Sequence, residues 1–243
     1  MDTIDDLAAE QERLESLLEP LTAEQWSSPS AAAGWSIADV LLHLAQTEEA
    51  VAMSVANATR PDLWERGDRA LDDSVADAVS AERAPGEAVF DRWKAARQQA
   101  LAALRAADPD QRVPWAATPL KPRVLATTRL AEHWAHGLDI TDPLGLPFPD
   151  TARLRHIAWL GHRTLPYAFE VAGVPSYDVY CELTGPDSDP WLFGPPDADS
   201  VVRGPAGDFC RVGARRLTPE QTSLVAEGPH AVEALRVLRN YAV

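Results

Sequence analysis

The first part of the chain carries apolar residues at intervals of three and four, the spacing that lines one face of an α-helix. Four leucines between residues 5 and 18 share such a face, and Pro20 follows them, so the pattern predicts a first helix over 5–18. A second helix is predicted from Ser36 to about Ala58, ending before Pro61.

Two more helices are predicted beyond an acidic segment, residues 62–79, which we expect to be a mobile connection. Residues 86–107 are apolar at helical spacing and stop at the Asp-Pro-Asp of 108–110. The fourth helix is expected to start near Arg123 and to end between Gly137 and Asp142. Four amphipathic helices of this length pack as a bundle, with sites built between facing helices.

The pattern changes after residues 143–149, which are rich enough in proline and glycine to form a linker. A helix is predicted over 151–171, strands over 177–183, 191–193, 200–203 and 208–212, and helices from Pro219 and over 230–239. The predicted fold class is therefore α+β. A four-helix bundle is expected in residues 1–143 and a smaller α+β domain in residues 150–243.

Composition excludes several classes of function. The formal net charge of −15 opposes a phosphate backbone, so we expect no nucleic-acid partner. No run of about 18 apolar residues exists, and the first six residues are acidic where a signal peptide is basic, so a cytoplasmic protein is expected. The two cysteines give no disulfide framework.

Residues 129–139 place a carboxylate and an imidazole one helical turn apart. Glu132 and His136 are separated by four positions, so they point about 40° apart around a helix and lie roughly 6 Å apart along it. They can therefore converge on a single ion. His133 points about 100° away from Glu132.

A third ligand is expected from the second predicted helix. Ser36 followed by Asp39 predicts a capping-box start with Ser36 as the N-cap. His43 then lies two turns inside the helix, among valine, leucine and alanine, where a buried imidazole needs a partner.

Each observation also has a simpler explanation. A lone histidine on an apolar face is commonly a core residue bonded to a carbonyl or carboxylate. A glutamate and a histidine at i,i+4 often interact only at a surface. Together, however, His43, Glu132 and His136 form the ligand set of an open site for zinc or another divalent ion. A competing set is His43, His133 and His136, because His133 and His136 at i,i+3 also share a face.

Several of these residues resemble a known family. Residues 34–44, Gly-Trp-Ser-Ile-Ala-Asp-Val-Leu-Leu-His-Leu, resemble the first-ligand motif of the DinB-like superfamily, in particular its mycothiol-dependent maleylpyruvate isomerase branch. Glu132-x-x-x-His136 followed by Asp139 resembles the second and third ligands of that branch. Residues 204–210, Gly-Pro-Ala-Gly-Asp-Phe-Cys, are similar to the C-terminal region of an actinobacterial subfamily of metal-binding proteins. The resemblance implies a DinB-like bundle and favours Glu132 over His133 as a ligand.

The resemblance also implies a chemistry. In that family the metal is associated with a low-molecular-weight thiol that attacks an activated double bond, permits rotation and leaves. It implies a transferase or isomerase that uses Zn²⁺ or another divalent metal, takes mycothiol as co-substrate and acts on a small molecule, as a monomer or homodimer. Two alternatives stay open, namely a thiol-independent metal-dependent hydrolase or cyclase, and a non-catalytic metal-binding or ligand-binding protein.

Further polar residues are candidates near the ligands. Arg129 lies on a face close to that of Glu132, and Asp139 is placed to accept the other N–H of His136. Arg92 and Arg97 are candidates to hold a carboxylate of the substrate or thiol, although a solvated helix face also explains them. Arg211 in the second domain is a candidate cofactor-binding residue if its predicted strand points inward.

Overall fold

The structure, a computed structural model, describes residues 2–57, 71–116 and 118–241. Contacts within the chain divide it into two compact units that meet in sequence between Phe148 and Pro149. The first unit is helical and the second combines helices with a small sheet, so the predicted α+β class is confirmed. Among the described residues, no helix combines the length and apolar composition needed to cross a membrane.

All four predicted long helices are present in the first unit, where they pack together with two shorter ones. In chain order they are α1 (Thr3–Leu18), α2 (Ala23–Ser27), α3 (Ile37–Asn57), α4 (Leu71–Ala81), α5 (Gly86–Ala106) and α6 (Pro122–Leu144). The prediction of a mobile connection over 62–79 was wrong for residues 71–79, which belong to α4, and residues 62–70 lie outside the described residues.

The start of α3 follows the predicted capping box. The Ser36 hydroxyl accepts the Asp39 N–H at 3.1 Å, and the Asp39 carboxylate accepts the Ser36 N–H at 3.0 Å. Two backbone donors that the helix cannot satisfy are thereby paired. Arg83 donates to the other carboxylate oxygen of Asp39 at 3.0 Å. Although burial raises the pKa of Asp39, these hydrogen bonds outweigh it and hold the pKa below its usual range.

Helix α6 is buried around most of its circumference. Its buried residues include leucines and alanines, but Arg129, His133 and Asp139 are buried as well, each no more than 2% exposed. Polar groups removed from water must be paired within the protein. The apolar core beside them is formed mainly by α1, α3 and α5, with Leu14, Leu41 and Trp93 fully buried.

The second unit contains a four-stranded sheet with helices before, between and after its strands. Its elements are α7 (Leu154–Arg163), α8 (Leu165–Val171), β1 (Tyr180–Thr184), β2 (Pro190–Phe193), β3 (Val201–Pro205), α9 (Ala206–Gly213), a 3-10 helix (Pro219–Gln221), β4 (Val225–Glu227) and α10 (Ala231–Val237). The strand order is β2-β1-β3-β4. Strand β1 pairs antiparallel with β2 and parallel with β3, which places Glu182 beside both Leu192 and Arg203.

Three predictions for this unit need correction. Residues 208–212 are not a strand but lie in α9, because Ala206, Phe209, Cys210 and Gly213 are buried at the i, i+3, i+4 and i+7 spacing of a helix. The single helix predicted over 151–171 is divided at Thr164, two residues before Pro166, which lacks a backbone N–H. The short strand β4 was not predicted.

Candidate metal centre

Helices α3 and α6 bring the three predicted metal ligands together. One oxygen of Glu132, Oε2, lies 3.4 Å from Nε2 of His43 and 3.5 Å from Nε2 of His136. Each of the three residues offers a ligand atom, and these atoms all lie within 4.8 Å of one another. Glu132 and His136 are one turn apart on α6, and His43 reaches them from α3.

The two distances from Glu132 Oε2 to the imidazole nitrogens match those between ligands of a divalent metal. Zinc bonds of roughly 2.0–2.2 Å set neighbouring tetrahedral ligands about 3.3–3.6 Å apart. The contact between His43 and Glu132 is long for a hydrogen bond, and His43 Nδ1 is buried without a hydrogen-bond partner among the described residues. The long contact is made by Nε2, the nitrogen that faces Glu132, and fits an atom whose bond goes to an ion; Nδ1 is the other ring nitrogen and would keep the proton.

The charges around His136 also favour a cation. Burial by itself raises the pKa of Glu132, but hydrogen bonds with His136 and His43 outweigh it and hold the pKa well below its usual range. Burial lowers the pKa of His43, which keeps a lone pair available. For His136, burial lowers the pKa, but Asp139 and Glu132 more than offset it and the pKa is raised. The centre therefore attracts positive charge, which a metal ion would supply.

Asp139 orients one of the candidate ligands, His136. Its Oδ2 lies 2.9 Å from Nδ1 of His136. This contact fixes the proton on Nδ1 and leaves Nε2 directed towards Glu132, as in metal sites where a carboxylate accepts the second N–H of a ligating histidine. Asp139 is 2% exposed, so water competes little for the bond.

His133 is held elsewhere in the bundle. Its Nδ1 donates to the Arg129 carbonyl at 2.9 Å, and its Nε2 accepts the indole N–H of Trp93 at 3.2 Å. Burial lowers the pKa of His133 to about 3, so the ring is neutral. With both nitrogens engaged, His133 has the bonding of a core histidine, which favours the ligand set that contains Glu132.

Arg129 joins α6 to the part of α3 that carries His43. Its Nε donates to Glu48 at 2.8 Å and its Nη2 donates to the Thr47 hydroxyl at 2.6 Å. The Thr47 hydroxyl in turn donates to the main-chain carbonyl of His43 at 2.9 Å. This buried network fixes the relative position of the two ligand-bearing helices.

Glu48 is a functional candidate that the sequence reasoning missed. Its side chain is fully buried, and burial raises the pKa of Glu48 even though Arg129 opposes the shift. The available signal was its spacing: Glu48 lies four residues after Leu44 and three before Val51, on an apolar face of the predicted helix, where a carboxylate needs a partner.

The candidate arginines Arg92 and Arg97 both have carboxylate partners. Arg92 makes a bidentate pair with Glu49 at 2.7 and 2.8 Å and a further contact with Glu82. Arg97 is buried against Glu15, and its guanidinium lies 5.1 Å from the centre of the Trp93 ring. A role for either in binding substrate stays a prediction.

Arg211 lies on α9 of the second unit, not on a strand, and makes a bidentate pair with Asp150 at 2.8 and 2.9 Å. Its proposed part in cofactor binding also stays a prediction.

Trp35 borders the centre, although the sequence reasoning gave it no role. Its ring centre lies 5.4 Å from that of His43 and 6.4 Å from that of His136. The ring is nearly parallel to the imidazole of His136, with an interplanar angle of 23°. A signal was its position directly before the N-cap Ser36, where a hydrophobic residue often packs against the first turn of the helix.

Comparison with known proteins confirms the resemblance. A family model described as the mycothiol maleylpyruvate isomerase N-terminal domain matches residues 7–141, which include all three candidate ligands. Two uncharacterised proteins, from two strains of Mycobacterium tuberculosis, are each 36% identical over 242 residues, covering 98% of this chain and 94% of the relative.

Solved structures share the fold. The crystal structure of the mycothiol-dependent maleylpyruvate isomerase matches with a TM-score of 0.62 at 15% identity, covering 93% of this chain and 95% of that chain. A histidine-to-alanine mutant of that enzyme matches with a TM-score of 0.60 at 13% identity over the same shares. From its match to more than half of the sequence, we conclude that the chain belongs to the family of the mycothiol maleylpyruvate isomerase N-terminal domain.

Proposed function

We propose that this protein is a divalent-metal-dependent enzyme that uses a low-molecular-weight thiol, mycothiol, to isomerise or modify a small electrophilic substrate. The observation that carries the proposal is the convergence of His43 Nε2 and His136 Nε2 on one oxygen of Glu132, in a chain of this family. Zinc suits a set of two imidazoles and one carboxylate.

Three protein ligands are the number expected of a catalytic metal site. Structural zinc sites are usually closed by four protein ligands, whereas catalytic sites leave a position for water or substrate. His43, Glu132 and His136 would hold the ion, which would supply a Lewis acid able to lower the pKa of a thiol or to polarise a substrate oxygen.

The protein groups around the ligands would keep this site in position. Asp139 holds the proton of His136 on Nδ1, so that the opposite nitrogen stays available. Arg129 and Thr47 hold the backbone of α3 at His43. Trp35 covers part of both imidazoles and restricts the approach of water from that side. A site fixed in this way loses little free energy to reorganisation when a thiol or substrate binds.

Calorimetric titration with mycothiol tests the proposal. We expect mycothiol to bind the zinc-loaded protein, and to bind the metal-stripped protein at least about 10-fold more weakly, because removal of a thiolate–metal bond costs more than about 1.4 kcal/mol. His43→Ala is expected to resemble the stripped protein. His156→Ala, a histidine of the second unit that has no part in the proposed site, is the matched control.

The S-methylated thiol controls for binding through the sugar part of mycothiol, since it cannot form a thiolate. Equal affinity for the thiol and its S-methyl form, or no binding at millimolar concentration, would contradict the thiol part of the proposal. A metal-loaded protein without thiol binding would favour the thiol-independent hydrolase or cyclase.

A further inference from the structure

The main-chain carbonyl of Asp139 is available for a bond outside its helix. In an α-helix each carbonyl accepts the N–H four residues later. The residue four positions after Asp139 is Pro143, which lies inside α6 and has no N–H. The ring of a proline also pushes away the carbonyl four residues before it. The carbonyl beside the metal centre therefore lacks its helical partner.

Ala31 supplies the missing donor. Its N–H bonds to the Asp139 carbonyl at 2.9 Å, across 108 positions of sequence. Ala31 lies in the segment of residues 28–36 that precedes α3, named here the Trp35 loop. The bond ties this loop to the C-terminal part of α6.

The Trp35 loop is internally bonded, so that fixing Ala31 fixes the rest of it. The Trp35 carbonyl accepts both the N–H and the hydroxyl of Ser30 at 2.9 Å, and the Trp35 N–H donates to the Ala32 carbonyl at 3.1 Å. At the end of the loop, the Ile37 N–H donates to the Ser28 carbonyl at 3.0 Å. A loop held at so many points moves as one piece.

Asp139 consequently acts on the centre in two ways. Its side chain bonds to Nδ1 of His136 at 2.9 Å, and its main chain holds the loop whose Trp35 ring lies against His43 and His136. The position of the indole and the orientation of the imidazole thus depend on one residue, and the bond from Ala31 to the carbonyl of that residue depends on Pro143.

We infer that Pro143 is a positioning residue of the metal centre: by leaving the Asp139 carbonyl to Ala31, it holds Trp35 against the imidazoles of His43 and His136. The inference rests on the proposed function for the part that concerns metal retention. If Pro143 only ended the helix, which stops one residue later at Leu144, its replacement would leave the Trp35 loop unchanged.

Pro143→Ala tests the inference, because alanine restores an N–H that competes for the Asp139 carbonyl. The matched control is Pro122→Ala, at the first position of the same helix, where the missing N–H has no helical partner in any case. Both variants are expected to fold, since alanine is the better residue inside the helix at position 143 and breaks no helical hydrogen bond at position 122.

Two readouts need no metal. Amide hydrogen exchange at Ala31 should become about 10-fold faster in Pro143→Ala, the loss expected for one buried hydrogen bond. The Cε1 proton resonances of His43 and His136 should shift away from their wild-type positions, towards those of Trp35→Leu, because they lie in the ring current of Trp35. Pro122→Ala should leave both readouts at the wild-type value. Unchanged exchange and resonances in Pro143→Ala would overturn the inference.

The third readout is the rate at which a chelator removes zinc. Outer groups that orient metal ligands typically affect metal affinity 10-fold to 100-fold, so we expect release from Pro143→Ala to be about 10-fold faster. A loosened loop with an unchanged release rate would overturn the positioning role. Failure of the proposed function itself would appear separately, as a wild-type protein that takes up no zinc.

Discussion

At the scale of single residues, the candidate site depends on which atoms are left without partners. His133 satisfies both ring nitrogens inside the bundle, whereas His43 has one long contact at Nε2 and, within the part of the chain that the structure describes, no hydrogen-bond partner for Nδ1. Both histidines have apolar neighbours in the sequence, yet their bonding differs. Only His133 has the complete bonding of a core residue.

Helical geometry was sufficient to predict the pair Glu132 and His136, because four residues make about one turn. The capping-box start of the second predicted helix and its apolar sequence pointed to His43 as their partner, and the family resemblance favoured Glu132 over His133. The contacts of Glu48 and Trp35 were out of reach because they depend on how separate helices pack. Glu48 pairs with Arg129, which lies 81 positions away in the sequence. No local sequence pattern predicts a contact between residues so far apart.

The two cysteines are expected to be poor nucleophiles. Burial raises the pKa of Cys181 to about 12, and burial together with the nearby Asp150 also raises the pKa of Cys210. The thiolate is the reactive form, and raising a thiol pKa from about 9 to about 12 lowers its thiolate fraction at neutral pH about 1000-fold.

The rate of reaction with a chromogenic disulfide reagent would measure the reactivity of the two cysteines. At pH 7 we expect slow reaction of the folded protein and rapid reaction of two thiols per chain in denaturant. Raising the pH should speed the native reaction, because the thiolate fraction grows. Rapid native labelling of either cysteine at pH 7 would show that burial does not protect it. Slow labelling would mean that neither cysteine replaces an added thiol in the proposed chemistry.

At the scale of elements, most helices could be predicted from apolar spacing, and the reciprocal bonds of Ser36 and Asp39 show why the start of α3 was clear. The segment 208–212 was harder, because its short apolar run satisfies both periodicities. Its helical state is set by tertiary burial of Phe209 and Cys210, which sequence does not display. Similarly, Thr164 marks the division of the predicted helix 151–171 by donating from its hydroxyl to the Arg239 carbonyl at 2.7 Å, a contact 75 positions away.

Helix α6 also depends on a glycine next to a ligand. A Cβ at Gly137 would lie 2.6 Å from the Phe148 ring, which is itself covered by the guanidinium of Arg13 at 3.8 Å. We expect Gly137→Ala to lower the free energy of unfolding by about 1–2 kcal/mol, because steric displacement of a packed ring outweighs the gain of about 1 kcal/mol in helix propensity. Urea denaturation measures the change.

Gly213→Ala is a suitable control, since a Cβ there meets its nearest atom at an ordinary 3.4 Å. In a Phe148→Leu background, the effect of Gly137→Ala should become smaller, because the two side chains no longer overlap. An equal loss in both backgrounds would mean that the ring of Phe148 is not the cause.

At the scale of the whole molecule, the chain is acidic, with a net charge of −15, yet the centre is formed by a few local groups. Asp139 and Glu132 raise the pKa of His136 against the effect of burial, because nearby groups dominate in a buried site. The fold is shared with a mycothiol-dependent isomerase at 15% identity, and a shared fold does not identify a substrate. Substrate contacts could not be predicted from sequence because they depend on a pocket shape that has no local pattern.

The central claim is that His43, Glu132 and His136 bind one divalent metal. The measurement is the metal content of the purified protein by elemental analysis, for the wild type and for single substitutions. We expect about one metal per wild-type chain, with a loss of at least about 10-fold in affinity for Glu132→Ala, His43→Ala and His136→Ala, because each removes a direct ligand.

Two further variants define the ligand set. Glu170→Ala, at an exposed glutamate of the second unit, should retain the metal, and so should His133→Gln, since that ring is engaged by Trp93 and the Arg129 carbonyl. Full metal content in Glu132→Ala, together with loss in His133→Gln, would contradict the account and favour three imidazole ligands. Unchanged content in all the ligand variants would show that these residues do not form a metal site.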